Sequence, residues 1–379
     1  MFLRSIEARE FRNLQGKIIW GAGLNILHGN NGQGKTNWLE SIYLLAHAKS
    51  FRTRQLQETI RFGSHSTSVQ GTIARGNDIE RELQVSIQGN TKQTFVNGKR
   101  ESIARYAAEL HAVCFTAAEL EVIRGGPEAR RGFLDRGAVS LRPSYAQTLS
   151  DYNKVIKQKK RLLQQAAEGR LVHEELAELV EPWNKQLVEL SAQIHAARTN
   201  YVNLLNDALE HCLFSDNISI RYVSSLEGKG DLDDYEGLIS QRLRTRLQAE
   251  QFAGACLIGP HRDDLHVLFG SRDLRSFGSS GQQRSALITL DLAAISVYHF
   301  KHQDYPVFLI DDVDAELDGI RIERLLEYLD GRTQTFVTTS KRNHFARSGR
   351  RVNFYEVGEG VAVEERAPNN EMAIAGNGI

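Results

Sequence analysis

Cysteine, proline and long apolar runs are scarce in this chain of 379 residues. The three cysteines, Cys114, Cys212 and Cys256, lie far apart in apolar surroundings, so we expect buried, reduced thiols and neither disulfides nor a metal site. With only 6 prolines, the chain has little capacity for long low-complexity linkers. No apolar run reaches the roughly eighteen residues that a transmembrane helix requires.

An excess of charge of either sign is also missing. The chain has 47 basic and 47 acidic residues, so its net charge is zero and gives no general support for nucleic-acid binding. Local basic patches remain compatible with that total, because patches and not totals contact phosphates. The first residues, MFLRSIEAREFRNL, alternate like a strand and lack the apolar core of a signal peptide. We therefore expect a cytoplasmic protein.

Apolar periodicity predicts an α/β protein that is interrupted by a helical stretch. The predicted strands are residues 2–10, 17–28, 111–115, 307–310, 335–338 and 352–357. The predicted helices are residues 35–48, 145–167, 173–209, 282–300 and 321–329. Short β segments fill the stretch between the first helix and residue 111, and Asn97-Gly98 there is typical of a hairpin turn.

The same pattern divides the chain into two parts. Residues 1–120 and 252–379 are assigned to an α/β head, whose last residues, 367–379, have the composition of a frayed tail. Residues 121–251 are assigned to a mostly helical insertion. We interpret the apolar stripe on its two long helices as the seam of an antiparallel pair, with a partner-binding face as the alternative.

A phosphate-binding sequence follows the second predicted strand. It matches G-x-x-x-x-G-K-[ST] and consists of Gly29, Asn30, Asn31, Gly32, Gln33, Gly34, Lys35 and Thr36. Glycines let backbone N–H groups wrap the phosphates, and the following helix adds the positive end of its dipole. Lys35 is expected to be a surface charge at the β- and γ-phosphates, and the Thr36 hydroxyl to ligate Mg²⁺. The strand–loop–helix context argues against a chance match.

A second motif lies at the end of the strand 307–310, where four apolar residues run into Asp311 and Asp312. A buried strand that ends in an acid suits a second Mg²⁺ ligand, usually acting through water, and Asp311 has that position. Asp312 follows the strand and is a candidate acceptor for the proton of an attacking water. An acidic surface turn is the alternative interpretation.

A third motif, Ser279-Ser280-Gly281-Gln282-Gln283-Arg284, directly precedes a predicted helix. It resembles the signature motif of ABC-type ATPases, in which a serine, a glycine and a helix N-terminus approach the γ-phosphate held by the other subunit. The resemblance makes Ser279, Gly281 and Gln282 candidate nucleotide contacts. Residues 315–318 resemble the loop that crosses the same dimer interface. Taken alone, the motif is only a helix cap.

Several further segments carry a resemblance that covers nearly the whole chain. They are Arg9–Leu14, Ala48–Thr53, Val122–Arg136, Gly259–Asp264 and Asp311–Asp318. On these segments the chain resembles the RecF family of bacterial recombination mediators, which are ABC-type ATPases related to the heads of SMC and Rad50 proteins. The resemblance implies a P-loop ABC-type ATPase head, split into N- and C-terminal parts, with an inserted helical lid domain.

The resemblance also implies a function. It implies ATP and Mg²⁺ as ligands, an ATP-dependent homodimer, and binding to DNA at gapped single-strand/double-strand junctions. It further implies cooperation with RecO and RecR in loading RecA, with roles in repair, replication restart and the SOS response. Thr338, Thr339 and Ser340 would be the switch region that senses the γ-phosphate.

The sequence departs from the family pattern in three places. Residues 115–120 replace the usual Thr-Pro-Glu, Ser280 replaces a glutamine in the signature, and Ala315 replaces a serine. None of these changes removes a charge from the predicted catalytic set.

Three alternatives remain open on the sequence. An ATPase subunit of a membrane transporter shares the three motifs, but the insertion is larger than expected and GPHRDD (residues 259–264) has no transporter explanation. A structural SMC-like protein would need long heptad arms, which the sequence lacks. A DNA clamp with negligible ATP turnover differs from a weak, DNA-stimulated ATPase only in rate.

Several basic residues are candidate DNA contacts, and the alternative for each is an ordinary charged side chain on a solvent-exposed surface. One basic run lies on the first long helix: Lys154, Lys157, Lys159, Lys160 and Arg161. Further candidates are Arg130, Arg131, Lys49, Arg52 and Arg54, the last three facing either DNA or nucleotide. The sequence assigns no role to GPHRDD.

Overall fold

The computed structural model describes residues 1–75, 79–211, 217–342, 345 and 352–365. The strands are β1 (Phe2–Arg9), β2 (Lys17–Ile19), β3 (Leu24–His28), β4 (Ser66–Arg75), β5 (Ile79–Gln88), β6 (Thr91–Val96), β7 (Lys99–Glu101), β8 (Ala112–Phe115), β9 (Ile218–Val223), β10 (Asp264–Phe269), β11 (Arg272–Asp273), β12 (Val307–Ile310), β13 (Thr335–Thr339), β14 (Val352–Gly358) and β15 (Val361–Glu364). The helices are α1 (Lys35–His47), α2 (Ile103–Tyr106), α3 (Glu121–Arg124), α4 (Pro127–Leu141), α5 (Tyr145–Ala167), α6 (His173–Leu209), α7 (Tyr235–Thr245), α8 (Leu247–Ala253), α9 (Leu274–Phe277), α10 (Ser280–His302), α11 (Val313–Glu316) and α12 (Gly319–Leu329).

A sheet in the order β15-β14-β3-β13-β12-β8 forms the centre of the head. Its strands run parallel except for β15, which pairs antiparallel with β14. Both faces of β12 are buried: Phe308 and Ile310 pack in one apolar cluster, and Val307 and Leu309 pack in another. A strand that is covered on both sides explains the continuous apolar run in the sequence.

Helix α1 fills the space between this sheet and a second one. The second sheet is antiparallel, in the order β2-β1-β4-β5-β6-β7. Trp38, Leu39 and Ile42 of α1 are fully buried in the cluster that joins the two sheets. The helix that follows the phosphate-binding sequence is therefore held on two sides, which fixes where it begins.

The long helices of the insertion pack along each other. Leu163 of α5 and Leu176 and Val180 of α6 share one apolar cluster, and Val155, Leu187 and Ile194 share another. The predicted seam between the two helices is confirmed. None of the helices in the described ranges is long and apolar enough to cross a bilayer.

Two predicted elements differ from the structure. The strand predicted at 17–28 is split into β2 and β3, because the chain bends at Ala22 and Gly23, where Gly23 has a φ of 75°. The Gly21 N–H donates to the Asn25 side chain at 3.0 Å. The stretch predicted as mostly helical contains strand β9, which pairs antiparallel with β10, and β10 in turn pairs antiparallel with β11. Alternating residues of Ile218–Val223 favour a strand wherever a partner is available, and β10 is that partner.

The predicted hairpin turn is present, and two of the three cysteines are buried thiols. Asn97 and Gly98 have φ values of 50° and 73° and connect β6 to β7, as the sequence predicts. Cys114 and Cys256 are buried free thiols, and burial raises the pKa of Cys256 to about 11. Cys212 and the predicted tail, residues 367–379, lie outside the described residues.

The GPHRDD segment joins the insertion to β10 through a buried polar network. The fully buried Asp263 accepts hydrogen bonds from the Tyr222 hydroxyl and, at 2.7 Å, from the Ser225 N–H. Arg198 of α6 donates to the Pro260 carbonyl at 2.7 Å and lies 4.0 Å from Asp263. The segment therefore has a structural role, which is to fix the insertion against the head.

More contacts in the same region hold the neighbouring helix α4. Arg130 donates to both carboxylate oxygens of Asp264, at 2.6 and 2.9 Å, and is 3% exposed. Arg198 makes a similar two-point contact with Asp135 at 2.9 and 3.0 Å. Arg130 is thus committed to a buried ion pair, so its candidacy as a DNA contact is wrong.

We expect Asp263→Ala to destabilise the protein strongly. The change leaves the Tyr222 hydroxyl and the Ser225 N–H without their acceptor in a buried site. Removing one member of a buried charged network costs about 3–5 kcal/mol, measurable as the free energy of unfolding in urea. The control is Glu227→Ala, which breaks an exposed 2.8 Å pair with Arg221 and should cost under about 1 kcal/mol. Equal losses in the two variants would contradict the structural role of the network.

Candidate nucleotide-binding site

Two of the three predicted motifs, the phosphate loop and the acids after β12, lie together because they follow neighbouring strands. Strands β12, β13 and β3 lie side by side and parallel, with Ile310 opposite Val337 and Thr339 opposite His28. The carboxyl ends of parallel strands meet at one edge of a sheet. The loop after β3, the acids after β12 and the end of β13 therefore form one site.

The loop from Gly29 to Gly34 has a shape that depends on glycine. Gly29, Gly32 and Gly34 have φ values of 140°, 81° and 111°, in the region that favours glycine. A Cβ at Gly29 would lie 2.5 Å from the carbonyl oxygen of Val357. The loop is also tied to the β14–β15 turn, where the Gln33 side chain accepts from the Glu359 N–H at 2.7 Å. This anchoring pre-organises the loop for an anion.

Lys35 begins α1 and folds over the loop that precedes it. Its Nζ donates to the carbonyl oxygens of Gly29 and Asn30, at 2.7 and 3.0 Å. Burial lowers the pKa of Lys35, an effect that the charges of Asp312 and Asp311 partly oppose. The expectation of a surface charge is wrong, since the side chain is only 9% exposed. The ammonium is nevertheless held at the mouth of the loop.

Asp311 is the centre of the site. One of its carboxylate oxygens accepts hydrogen bonds from the Thr36 hydroxyl at 2.9 Å and from the Thr338 hydroxyl at 2.7 Å. Burial raises the pKa of Asp311, and the two threonine hydroxyls act against that shift by stabilising the charged form. The phosphate loop, β12 and β13 thus meet at a single carboxylate.

The residues after Asp311 shape the neighbouring backbone. Asp312 has a φ of 47°, and its N–H donates to the Thr338 hydroxyl oxygen at 2.7 Å. Asp314 accepts from the Thr339 hydroxyl and, at 3.1 and 3.3 Å, from the N–H groups of Ser340 and Lys341. The segment predicted as the switch region, residues 338–340, is therefore hydrogen-bonded to Asp312 and Asp314 in the segment after β12.

The oxygen atoms at Asp311 are compatible with Mg²⁺. This ion prefers oxygen ligands and is usually held by one or two protein groups together with substrate phosphates and water. The Thr36 hydroxyl and the Asp311 carboxylate provide two such oxygens within 2.9 Å of each other. These are the two metal ligands that the sequence predicts.

A cavity of about 1110 Å³ opens in front of these groups. Its lining includes the loop and its helix, the acids after β12, and a wall contributed by residues 12, 13, 15 and 60–62. Of the predicted site residues, it contains Asn31, Gly32, Gly34, Lys35, Thr36, Asp311 and Asp312. Arg52 also lines the cavity.

The signature residues lie elsewhere. Ser279 and Gln282 cap α10 reciprocally, with the Ser279 N–H donating to the Gln282 side chain at 2.9 Å and the Gln282 N–H donating to Ser279 Oγ at 3.3 Å. Ser279, Gly281 and Gln282 do not belong to the described lining of the cavity. Arg284 forms a 2.8 Å ion pair with Glu316, which couples the signature helix to the segment after Asp312.

Sequence reasoning missed a buried ion pair behind the loop. Glu40 of α1 is fully buried and accepts from Arg12 at 2.8 and 3.0 Å. The hydroxyl of Ser50 also donates to Glu40, at 2.5 Å. The available signal was an acid in the apolar run of α1, together with an arginine in the REFRNL segment, although no pattern showed that they pair.

One of the candidate DNA contacts is excluded by its burial. Lys159 is completely buried and forms a 2.6 Å ion pair with the equally buried Glu250 of α8. The other members of the run, Lys154, Lys157, Lys160 and Arg161, are exposed. The basic face of α5 is therefore smaller than the sequence indicates.

The chain matches a known family over most of its length. The family model described as RecF/RecN/SMC N terminal domain matches residues 2–362. The DNA replication and repair protein RecF of Bacillus mycoides is 34% identical over 349 residues, covering 90% of this chain and 92% of that protein. RecF of Lactobacillus johnsonii is 35% identical over 351 residues, with coverage of 90% and 92%.

Solved structures of RecF and of SMC heads are similar to this chain. The structure of the recombination mediator protein RecF with ATP has a TM-score of 0.86 and 28% identity, covering 96% of this chain and 98% of that chain. An SMC head bound to the C-winged helix domain of ScpA has a TM-score of 0.53 at 13% identity, with coverage of 98% and 99%, and shares the fold alone.

The fold and the site together define an ATPase head of the type found in SMC proteins, with a P-loop and an inserted helical segment. The sequence identity and the coverage of whole relatives narrow the assignment further. The chain belongs to the RecF family.

We expect Thr338→Val to weaken the site without opening a cavity. Valine has nearly the same shape, but it removes both the hydroxyl that donates to Asp311 and the oxygen that accepts from the Asp312 N–H. Loss of a hydrogen bond to a charged group should lower the free energy of unfolding by about 1.5–3 kcal/mol. Thr338→Ser, which keeps the hydroxyl, is the control. A serine variant that loses as much as the valine variant would contradict this assignment.

Proposed function

We propose that this protein binds ATP with Mg²⁺, dimerises when it does so, and acts on DNA as a recombination mediator in the cytoplasm. The observation that carries the proposal is the meeting of Thr36 and Thr338 at Asp311, in a cavity that also contains Lys35, whose ammonium lies on the glycine loop. A cation, a hydroxyl and a carboxylate beside a glycine loop are the groups that a nucleoside triphosphate with Mg²⁺ requires.

Each residue of the site has a role in this proposal. The loop of Gly29, Asn30, Asn31, Gly32, Gln33 and Gly34 supplies N–H groups to the α- and β-phosphates, and Lys35 supplies the cation at the β- and γ-phosphates. Thr36 and Asp311 would hold Mg²⁺, which neutralises charge on the phosphates when bound. Asp312 is the candidate acceptor for the proton of the attacking water.

The location of the signature motif supports a site shared by two subunits. Ser279 and Gln282 are exposed at the N-terminus of the long helix α10 and outside the cavity that holds Lys35. In a dimer, the N–H groups at that helix end could meet the γ-phosphate bound by the other subunit. The ion pair between Arg284 and Glu316 would then link this contact to the segment after β12 that contains Asp312.

The proposed biological role is taken from the relatives. Relatives are named DNA replication and repair protein RecF, and a related structure is described as a mediator with ATP in the RecFOR pathway. We propose that this chain likewise binds gapped DNA and cooperates with RecO and RecR in loading RecA. Steady-state ATP hydrolysis with and without gapped DNA, measured across protein concentrations, separates a slow DNA-stimulated ATPase from a clamp that barely turns over.

A shared site makes a quantitative prediction for mixed dimers. Lys35→Ala and Ser279→Arg homodimers should both be inactive, the first lacking the phosphate cation and the second blocking the helix end. A mixed dimer has one site with both defects and one intact site. With random pairing, half of the dimers are mixed and half of their sites are intact, so about a quarter of wild-type hydrolysis should return.

Dimer formation must be measured in the same samples, because weak association also lowers activity. The control is a mixture of Lys35→Ala with Lys35→Met, in which every dimer lacks the lysine at both sites. Failure to recover activity in demonstrated mixed dimers would contradict a site shared between subunits. Full activity of the Ser279→Arg homodimer would exclude the signature motif from catalysis.

DNA binding should depend on ATP through the number of phosphate contacts. A closed dimer presents two basic surfaces where one subunit presents one, so ATP should steepen the dependence of DNA affinity on salt. Each additional phosphate contact changes the slope of log K against log salt by about 0.9 on duplex DNA. The measurement is a salt titration by fluorescence anisotropy with ATP and with no nucleotide, using Lys35→Ala as the control. Equal slopes in both conditions would argue against an ATP-gated clamp.

A further inference from the structure

Three large apolar side chains are exposed at the end of the insertion where α5 ends, α6 begins and α8 ends. Phe252 of α8 is 93% exposed, Val172 before α6 is 64% exposed and Leu179 of α6 is 42% exposed. The His173 ring and the Gln251 side chain are hydrogen-bonded at 2.8 Å, which brings their chain neighbours Val172 and Phe252 to the same place. Leu179 follows Val172 by seven positions, about two helical turns, and so lies on the same side of α6.

The short helix that carries Phe252 is held rigidly against α5. Two positions before Phe252, Glu250 forms a 2.6 Å ion pair with Lys159 of α5, and both side chains are completely buried. At Gly254, which ends α8, a Cβ would lie 3.6 Å from the Cβ of Ala167, the last residue of α5. The phenylalanine is therefore presented from a fixed backbone, which lowers the entropic cost of covering it with a partner.

Acidic side chains surround these apolar groups. Residues 168–181 contain five glutamates, one arginine and no lysine. Glu175 lies between Val172 and Leu179 on the same side of α6, Glu178 is the neighbour of Leu179, and both glutamates are exposed. We call Val172, Leu179, Phe252, Glu175 and Glu178 the insertion tip. Its negative charge repels DNA phosphates and attracts a partner that carries positive charge.

A single exposed apolar residue needs no explanation, but three on one surface with a charged rim are typical of a site that binds another protein. An exposed aromatic side chain on a rigid support is the kind of residue that contributes most to such an interface. The exposed basic residues of α5 lie about two to four turns before the end of that helix. The insertion thus carries its positive charge along α5 and its apolar, negatively charged surface at the tip.

We propose that the insertion tip docks a protein partner whose surface has basic residues around an apolar pocket. Phe252 occupies the pocket, Val172 and Leu179 pack at its edge, and the basic residues face Glu175 and Glu178. The inference goes beyond the proposed function, because it assigns a surface for protein partners, and it rests on that function only for the choice of RecO and RecR as probes.

The test measures binding of purified RecO and of purified RecR to the full-length protein by biolayer interferometry with ATP. Phe252→Ser should weaken binding of at least one of them by about thirtyfold, mainly through faster dissociation. Glu178→Lys should slow association with the same protein and reduce its dependence on salt, because it reverses a steering charge. Each variant has a matched control: Phe300→Ser removes a phenylalanine of α10 that is 77% exposed, and Glu189→Lys reverses another exposed glutamate of α6. Both controls should bind as the wild type does.

The outcomes separate this surface from the proposed function. If neither RecO nor RecR binds the wild type, the proposed partners are wrong and the docking surface is overturned with them. If one of them binds the wild type and binds Phe252→Ser and Glu178→Lys equally well, the docking surface alone is overturned. DNA affinity and ATP-dependent dimer formation of Phe252→Ser should match the wild type. Loss of either would identify the tip as a DNA contact or a subunit interface and would overturn its assignment to a protein partner.

Discussion

One carboxylate oxygen accepts hydrogen bonds from threonines that lie 275 and 27 positions away in the chain. Asp311 is costly to bury as a charged group, and the hydroxyls of Thr36 and Thr338 offset part of that cost. This arrangement requires β12, β13 and β3 to keep their register. A slip of one residue in β13 would turn the Thr338 side chain to the opposite face of the sheet and break the contact. The packing of both faces of the sheet therefore fixes the strand register that keeps Thr36 and Thr338 in contact with Asp311.

A second set of buried charged groups, around Asp263 and Arg198, fixes the insertion against the head. The network around Asp263 and Arg198 lies between the insertion and β10 and shares no residue with the cavity lining. Charged groups that each need several partners are satisfied in few relative orientations, whereas apolar surfaces tolerate sliding. The network thus specifies how the insertion packs against the head. Strand β10 is followed in the chain by β11, α9 and the start of α10, so the network also lies close in sequence to the signature motif.

Local patterns were sufficient to predict most of the head and the core of the site. The phosphate loop, the acids after β12 and the cap of α10 each lie in a short stretch of sequence, so their residue types and spacing indicate their structure. The pairing of Arg12 with Glu40 and the meeting of Val172 and Phe252 at the insertion tip depend on segments that only the fold brings together. The split between β2 and β3 and the presence of β9 were missed for a related reason, since tertiary partners overrode the local pattern. The burial of Lys159 likewise depends on Glu250, which lies on another helix.

The strand order has a consequence for how the protein is made. Strand β3 lies between β13 and β14, which come from residues 335–339 and 352–358. During synthesis, neither neighbour of β3 in its sheet exists until more than 300 further residues have been added. The nascent glycine loop lacks both flanking strands over that interval, and pairing across such a separation is slow. Ribosome-bound chains that stop before β13 also lack the Thr338 hydroxyl that donates to Asp311, so the complete site forms only after β13 has been synthesised.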